Sequence, residues 1–278
     1  MSNLKAPEEH SRIWELDAVR GLMIIAMLIA HLWYMEWRFC VNGYYHIDSY
    51  QFVNKFDPLH FWFDWGDNGI IYMAFLSDNF RAVWSELIVS AFFTISGICI
   101  TFSRNEMKAI GKLLATGLFL TAYTYALYRV TKIGIVYMRF SVIMCMAVCH
   151  LLYELLLKNL KPWVVGTVAV ITIFVGYYLL WIHPLTSSSS LLHPLGIRQI
   201  NDSGEYFPIF PYLGWLLIGV LIGRKWYSEK KTLYHIEWLR KGTRSLQIIG
   251  KYSGVIYVLH VVIYMTAFPV MGYILHIL

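Results

Sequence analysis

The sequence is short of charge. Only 14% of its 278 residues are Asp, Glu, Lys or Arg, whereas 58% are hydrophobic. A soluble domain carries about 25% charged and about 45–50% apolar residues. This chain therefore has too few polar side chains to cover a globular surface, and a soluble domain is excluded. Its 17% of aromatic residues also excludes a disordered chain, because disordered segments are poor in aromatics.

The sequence also lacks a cysteine framework. Its four cysteines have no regular spacing, and Cys99, Cys145 and Cys149 lie inside apolar runs. We interpret them as small buried hydrophobic residues, and we expect no metal site. The net charge of +6 follows from the loops that set membrane topology, so we expect no nucleic-acid partner.

Long apolar runs are abundant. Each is close to the roughly 20 residues that an α-helix needs to cross a bilayer. The runs lie at about 13–35, 83–103, 108–128, 135–157, 162–182, 206–226 and 251–277. The sequence predicts an all-α fold, a polytopic transmembrane helix bundle of about seven or more spans. We expect one domain over residues 1–278, located in the cell membrane.

The distribution of Lys and Arg predicts the orientation of the bundle. If the N-terminus is cytoplasmic, the cytoplasmic segments hold fifteen of these residues and the outer segments seven. Cytoplasmic loops are enriched in Lys and Arg, so a cytoplasmic N-terminus is predicted. Segment 224–250 then becomes a basic cytoplasmic loop that faces anionic lipid, with docking of a nucleotide's phosphates as an additional role.

The outer segment 36–82 is rich in aromatic residues and carboxylates. Trp62, Asp64 and Trp65 are typical of it. Rings pack on the C–H faces of sugars and carboxylates accept from sugar hydroxyls, so a sugar-binding cleft is one interpretation. An interfacial aromatic belt is the other.

Three ionisable residues occupy one face of the first run. Such groups cost about 2.5–3.5 kcal/mol each at the centre of a span, so they normally face a partner or a water-filled cavity. Arg20 and His31 are eleven residues apart, which places them on one helix face about 16 Å apart. Asp17, three residues before Arg20, can meet it. The pattern favours an interior cavity. The alternative is that the side chains of Asp17 and Arg20 extend to the cytoplasmic membrane interface.

Other polar residues interrupt the later runs. Ser96 and Gly97 lie in the second run, where helices can approach closely, and Arg104 follows at its end. Arg139 and His150 share the fourth run, and His260 lies in the last one.

These residues resemble a known family. Arg20, ten residues and His31 resemble the first-helix motif of the membrane acyltransferases that modify extracytoplasmic glycans, the acyltransferase-3 group. The residue pattern of the chain is more similar to that of the bacterial branch, whose members resemble the catalytic domain of heparan-α-glucosaminide N-acetyltransferase. The matching segments, in the family's order, are 12–21, 93–97 with 102–104, 206–211 with 213–214, and 250–253 with 257–260.

The resemblance implies an enzyme that moves an acyl group, with acetyl expected, from cytoplasmic acyl-CoA to an extracytoplasmic carbohydrate. Acetyl-CoA would be the donor, membrane lipids and a glycan or amino-sugar acceptor the partners, and a homodimer is left open. His31 is the candidate general base. Asp17, which holds Arg20 in place, is assigned to the catalytic site together with His31. The other assignments are as follows: Arg20, Arg104, Ser96 and Arg139 bind the donor, and Trp62, Asp64, Trp65 and His260 bind the acceptor. Direct transfer is favoured over an acyl-histidine because no second nucleophile is evident in the sequence.

One position departs from the family's pattern. The fourth span of the family usually carries a histidine where this chain has Met144. His150 and His260 are candidates to replace it, and His46 and His60 lie in the long outer segment. Two other functions therefore stay open, a proton-coupled transporter that uses the same stripe and an inactive membrane scaffold of the same fold.

Overall fold

The structure is a computed structural model that describes residues 13–36, 78–103, 105–182, 185–199, 205 and 207–277. Within these residues the fold is helical, as predicted. The α-helices are α1 (Trp14–Glu36), α2 (Asp78–Ile100), α3 (Glu106–Thr131), α4 (Val142–Leu152), α5 (Pro162–Tyr177), α6 (Ile209–Trp226), α7 (Glu237–Gly242), α8 (Arg244–Lys251) and α9 (Ser253–Ile277). Short π-helical segments, Tyr153–Leu157 and Tyr178–Ile182, continue α4 and α5. Two-residue strands β1 (Thr186–Ser187) and β2 (Arg198–Gln199) pair in parallel between α5 and α6.

Four helices in the described part are long and apolar enough to cross a membrane, by length and composition. The segments are Val83–Ile100, Glu106–Thr131, Pro162–Leu180 and Ser253–Met271. They correspond to four of the seven predicted runs. Large apolar side chains on them stay exposed, such as Phe174 at 72%, which suits a surface in contact with lipid.

The other three predicted runs are also helical but are not among these four. Helix α1 carries several charged residues near its start, and α6 ends in Arg224 and Lys225. The run 135–157 is divided, because a 3₁₀ turn at Gly134–Val136 precedes the short helix α4. Seven spans therefore stay a prediction.

Local sequence signals explain several helix ends. Asn105 accepts a hydrogen bond from Lys108 N at 3.0 Å and caps α3, and Ser141 caps α4 through Met144 N at 3.3 Å. Pro162 occupies the first turn of α5, where its missing N–H is not needed. Helix α3 ends at Lys132, which has a left-handed backbone with φ of 59°.

Two large apolar clusters and a small one pack the interior of the described residues, and the small one is formed by Ile13, Leu16, Ile98 and Tyr227. One large cluster joins α1, α3 and α9 through residues such as Ile24, Leu120 and Val261. The other large cluster joins α2, α4, α5 and α6 through Phe93 and Leu216, among others. Tyr257, one of the polar residues described below, belongs to the cluster that joins α1, α3 and α9.

Helices α2 and α6 cross at glycines. A Cβ atom on Gly97 would lie 2.0 Å from the carbonyl oxygen of Leu216, and one on Gly219 would lie 1.9 Å from that of Thr94. Only glycine fits at such a distance. Small residues at the crossing point allow helices to approach closely in membranes. The close approach predicted around Gly97 is confirmed.

Segment 224–250, predicted as a basic cytoplasmic loop, contains short helices. It holds the end of α6 and the short helices α7 and α8. Helix α8 packs on α1 so closely that a Cβ atom on Gly21 would lie 2.0 Å from the carbonyl oxygen of Leu246. This contact joins α8 to a distant part of the chain, so the sequence of segment 224–250 alone does not reveal it.

Candidate functional site

The polar stripe begins with a three-residue group that we call the arginine cluster, Asp17, Arg20 and Cys99. Arg20 Nη1 lies 3.4 Å from Asp17 Oδ1, and Arg20 Nη2 donates to Cys99 Sγ at 2.7 Å. The contact joins α1 to α2. The Arg20 side chain remains 28% exposed, so a guanidinium with five N–H donors keeps part of its capacity for an anionic ligand.

The chain after α6 holds the start of α1 in place. Leu233 N donates to Glu15 Oε1 at 2.7 Å, and Trp14 Nε1 donates to the carbonyl oxygen of Tyr234 at 3.3 Å. Tyr227 is buried at the same end, where burial, followed by the charge of Glu15, raises its pKa to about 12. The basic segment 224–250 is thereby fixed beside the arginine cluster.

His31 has a defined proton arrangement. Its Nδ1 lies 3.0 Å from the carbonyl oxygen of Met27. A carbonyl oxygen only accepts, so Nδ1 carries a proton, and in the neutral ring Nε2 keeps its lone pair. Nε2 lies 3.6 Å from Oε1 of Glu205, which makes it a base beside a carboxylate.

Glu205 is a buried carboxylate that enters the bundle from the connection between α5 and α6. Its side chain is 5% exposed. Val142 N donates to Oε2 at 3.3 Å, and the hydroxyl of Tyr257 lies 3.4 Å from each carboxylate oxygen. Val142 begins α4, and the N-terminus of a helix stabilises a nearby negative charge.

His260 completes what we call the histidine cluster, His31, Glu205, Tyr257 and His260. The rings of His31 and His260 pack edge to face with centroids 5.0 Å apart. His260 is buried, and neither of its ring nitrogens makes a hydrogen bond within the described residues. Tyr257 and Tyr264 enclose it at centroid distances of 5.0 and 5.6 Å. The structure thus brings together two of the predicted residues, the candidate base His31 and the candidate acceptor ligand His260.

Ser96 lies near the arginine cluster rather than near His31. It is three residues from Cys99 on α2, so the two share a helix face. Its hydroxyl lies 2.7 Å from His150 Nε2 and 3.3 Å from Met146 Sδ on α4. Ser96 therefore lies one helical turn from the residue that Arg20 contacts, and its assignment to the donor stays a prediction.

Arg139 lies apart from these two. Its guanidinium packs over the ring of Tyr137 at 5.5 Å, just before the cap of α4. His150, which contacts Ser96, is near the other end of that helix, roughly 13 Å along the axis at 1.5 Å per residue. The assignment of Arg139 to the donor therefore stays a prediction, and it would require the donor to extend along α4. Arg139 lies toward the end of α4 that contacts Glu205.

A cleft of about 600 Å³ lies between α1, α2, α5 and α6. Its wall includes Glu86, to which Tyr212 donates at 2.7 Å and Tyr177 at 3.4 Å. An ionisable residue within a candidate span is thus paired, as such residues normally are. Sequence reasoning did not single out Glu86.

Several predicted residues lie outside the described residues. These are Arg104, Trp62, Asp64 and Trp65, together with His46 and His60. The sugar-binding and aromatic-belt interpretations of segment 36–82 both stay predictions.

The main residues missed from the sequence are Glu205 and Tyr257. Glu205 follows a polar connection and precedes the Pro-rich start of α6, so its carboxylate has the ordinary appearance of a loop residue. Tyr257 stands three residues before His260, a spacing that places both on one helix face. That spacing, together with the matching segment 257–260, links Tyr257 to the site.

Comparison with known proteins gives one match. A family model described as "Heparan-alpha-glucosaminide N-acetyltransferase, catalytic" matches residues 58–262, about three quarters of the chain. The matched range contains Ser96, Glu205 and His260, and it begins after Arg20 and His31. No curated protein and no solved structure matches the chain.

Proposed function

Because this chain belongs to the family of the heparan-α-glucosaminide N-acetyltransferase catalytic domain, we propose that it transfers an acetyl group from cytoplasmic acetyl-CoA to an extracytoplasmic carbohydrate. Membership in the family makes it a membrane acetyltransferase. The donor, the two sides of the membrane and the carbohydrate acceptor are the parts that the proposal adds.

The observation that carries the proposal is the setting of His31. Its Nδ1–H is engaged by the carbonyl oxygen of Met27, so Nε2 is the free base, and Glu205 lies 3.6 Å from it. A base beside a carboxylate is suited to general base catalysis, because the anion stabilises the imidazolium that forms when the proton is taken up.

The reaction balances with one base. The acceptor's amine or hydroxyl attacks the thioester carbonyl, and its proton passes to His31 Nε2. The new C–N or C–O bond forms as the C–S bond breaks. The CoA thiolate then takes the proton from His31, which restores the neutral ring. Asp17 acts through Arg20 and is a positioning residue in this scheme.

Donor binding is assigned to the arginine cluster. The phosphates of acetyl-CoA cannot enter hydrocarbon, so a cationic site at the membrane surface is required. Arg20 lies in the second turn of α1, and the basic segment 224–250 is held next to it. His31 lies about 16 Å farther along the helix, a distance that the extended pantetheine arm is suited to cover. The excess of Lys and Arg supports a cytoplasmic location for this end.

Carbohydrate binding is assigned to the opposite side. His260 offers two ring nitrogens without hydrogen bonds among the described residues, and it packs on His31. Trp62, Asp64 and Trp65 of the segment 36–82 are proposed to complete this site. The full proposal includes seven spans, three beyond the four helices that meet the length and composition criteria.

A binding experiment separates this proposal from a proton-coupled transporter. The purified full chain in detergent is heated with acetyl-CoA, and with methyl α-glucosaminide as a small acceptor. The enzyme predicts a higher unfolding temperature with acetyl-CoA, because ligands that bind only the folded state stabilise it. No shift with acetyl-CoA, together with proton-linked flux in proteoliposomes, contradicts the proposal.

A further inference from the structure

A chain of hydrogen bonds connects side chains from three helices near the arginine cluster. Ser96 Oγ on α2 lies 2.7 Å from His150 Nε2 on α4. His150 Nδ1 lies 2.7 Å from Oε1 of Glu106, the first residue of α3. The side chains of His150 and Glu106 are each 7% exposed, whereas Ser96 is only partly buried. We call Ser96, His150 and Glu106 the serine relay.

The acid in the relay fixes the direction of the hydrogen bonds. An ionised carboxylate only accepts, so the proton between His150 and Glu106 resides on Nδ1. In the neutral ring Nε2 then carries the lone pair and accepts the proton of the Ser96 hydroxyl. Glu106 lies in the first turn of α3, where the helix dipole favours its negative charge. Nucleophile, base and orienting carboxylate therefore stand in the order found in Ser-His-acid enzymes.

We propose that the serine relay is a second acyl-transfer site, at which Ser96 takes the acyl group of an acyl thioester and releases it to water. The inference rests on the proposed function for the identity of the thioester, acetyl-CoA, and adds a hydrolytic activity to it. It also supplies the second nucleophile that the sequence alone did not reveal.

The two steps balance as follows. Ser96 Oγ attacks the thioester carbonyl, its proton moves to His150 Nε2, and the C–S bond breaks as the ester forms. The departing thiolate takes the proton from His150. Water then attacks the ester and gives a proton to the same nitrogen, and Ser96 recovers that proton as the ester C–O bond breaks. Glu106 stabilises the imidazolium in both steps and acts as a positioning residue.

The position of Ser96 explains why water is the final acceptor. Ser96 is one helical turn from Cys99, which Arg20 contacts at 2.7 Å. The relay therefore lies beside the path along which the acyl end of the donor passes Arg20 on its way to His31, and Ser96 meets the thioester during that passage. His31 is about 16 Å from Arg20 along α1, which is too far for an acetyl group fixed on Ser96 to reach a sugar held there.

The test uses the full chain in detergent with two probes. An alkyl fluorophosphonate labels base-activated serines without any thioester, and acetyl-CoA tests acyl uptake through peptide mass and through release of free CoA without an acceptor. We expect both probes to modify Ser96, and Ser96→Ala to abolish both. Ser103 is the control, because it lies just beyond the end of α2, is more exposed than Ser96, and makes no hydrogen bond to a histidine among the described residues. Ser103→Ala should leave labelling unchanged.

The relay variants distinguish activation from structural support. His150→Ala should reduce the fluorophosphonate labelling rate about a hundredfold, the lower end of what a positioned base contributes. Glu106→Gln should also reduce it, with recovery in Glu106→Asp, while the unfolding temperature of Glu106→Gln stays near that of the parent. If His150→Ala does not fold, the two Glu106 variants decide the question.

The outcomes bear on three different claims. Absence of fluorophosphonate on Ser96, or equal labelling of Ser96 in the Glu106→Gln variant, overturns the serine relay whatever acetyl-CoA does. Labelling of Ser96 by fluorophosphonate with no acetyl uptake and no release of CoA supports the activated serine and overturns acetyl-CoA as its acyl donor. If the parent protein acetylates no glycan but Ser96 is still labelled by the fluorophosphonate, the result counts against the proposed function alone.

Discussion

His31 Nε2 faces Oε1 of Glu205 across 3.6 Å, although one residue lies in the first helix and the other in the connection before α6. The histidine is oriented by its own helix through Met27, and the carboxylate is held by Val142 N and Tyr257. The pair therefore depends on the packing of α1, α4 and α9 against one another.

Glu205→Gln should lower acetyl transfer without a matching loss of donor affinity. The amide still accepts a hydrogen bond from Val142 N, but it does not neutralise the imidazolium at His31. We expect kcat to fall about tenfold to a hundredfold, and KM for acetyl-CoA to change less than threefold, as order-of-magnitude values for a positioned acid or base partner. Steady-state kinetics in membranes measure both. Glu229→Gln is the control, because Glu229 is exposed and pairs only with Lys231 in the described residues. A rise in KM with kcat unchanged would argue that Glu205 serves donor binding instead.

Arg20→Ala should weaken the binding of acetyl-CoA. The guanidinium is partly exposed and placed at the end of α1 that we assign to the cytoplasm. Loss of a charge-assisted hydrogen bond costs about 1.5–3 kcal/mol, which corresponds to a rise in Kd of roughly 10-fold to 150-fold. Isothermal titration in detergent measures the change. Arg129→Ala, at the far end of α3, should leave affinity as it was. Equal affinity in the parent and in Arg20→Ala would refute the phosphate role.

His260→Phe should separate packing from recognition. Phenylalanine keeps an aromatic ring against His31 and removes two buried nitrogens that have no hydrogen bond within the described residues. Because removing an unsatisfied buried polar group costs no hydrogen bond, the unfolding temperature should not fall. KM for the sugar acceptor should rise, and the affinity for acetyl-CoA should remain. Leu259→Phe is the control, because Leu259 precedes His260 in the chain and its side chain is exposed. An unchanged acceptor KM in His260→Phe would remove His260 from the sugar site.

Gly97→Ala should destabilise the bundle, whereas Gly111→Ala should not. A Cβ atom on Gly97 would lie 2.0 Å from the carbonyl oxygen of Leu216, while one on Gly111 meets no atom within 4 Å. Overpacking costs about 1–3 kcal/mol or more, and replacing Gly by Ala in an exposed helix gains up to about 1 kcal/mol. Thermal unfolding in detergent should therefore move in opposite directions for the two variants. Equal unfolding temperatures would show that α2 and α6 do not cross at Gly97.

Local periodicity was enough to predict the stripe on α1. Arg20, Asp17 and His31 belong to one helix, so their common face follows from 3.6 residues per turn, and the Asp17–Arg20 contact is present at 3.4 Å. Four predicted spans also follow from hydropathy alone, since the apolar runs are nearly continuous.

Contacts between distant segments escaped prediction. Glu205 becomes part of the site only through its contacts with Val142 at the start of α4 and Tyr257 on α9. The relay from Ser96 to Glu106 joins three helices, and spacing along the chain carries no sign of it. The close approach of Gly21 to Leu246, which holds α8 against α1, is likewise visible only in three dimensions.

The most direct test of the central claim is acetyl transfer by His31→Ala. Membranes that contain the parent or the variant are incubated with labelled acetyl-CoA and methyl α-glucosaminide, and the acetylated sugar is counted. The proposed mechanism predicts that the variant folds with an unfolding temperature close to that of the parent and binds acetyl-CoA. Its transfer rate should fall by at least about a hundredfold, the lower end of what a positioned general base contributes. Transfer at the parent rate would contradict the assignment of His31 as the general base.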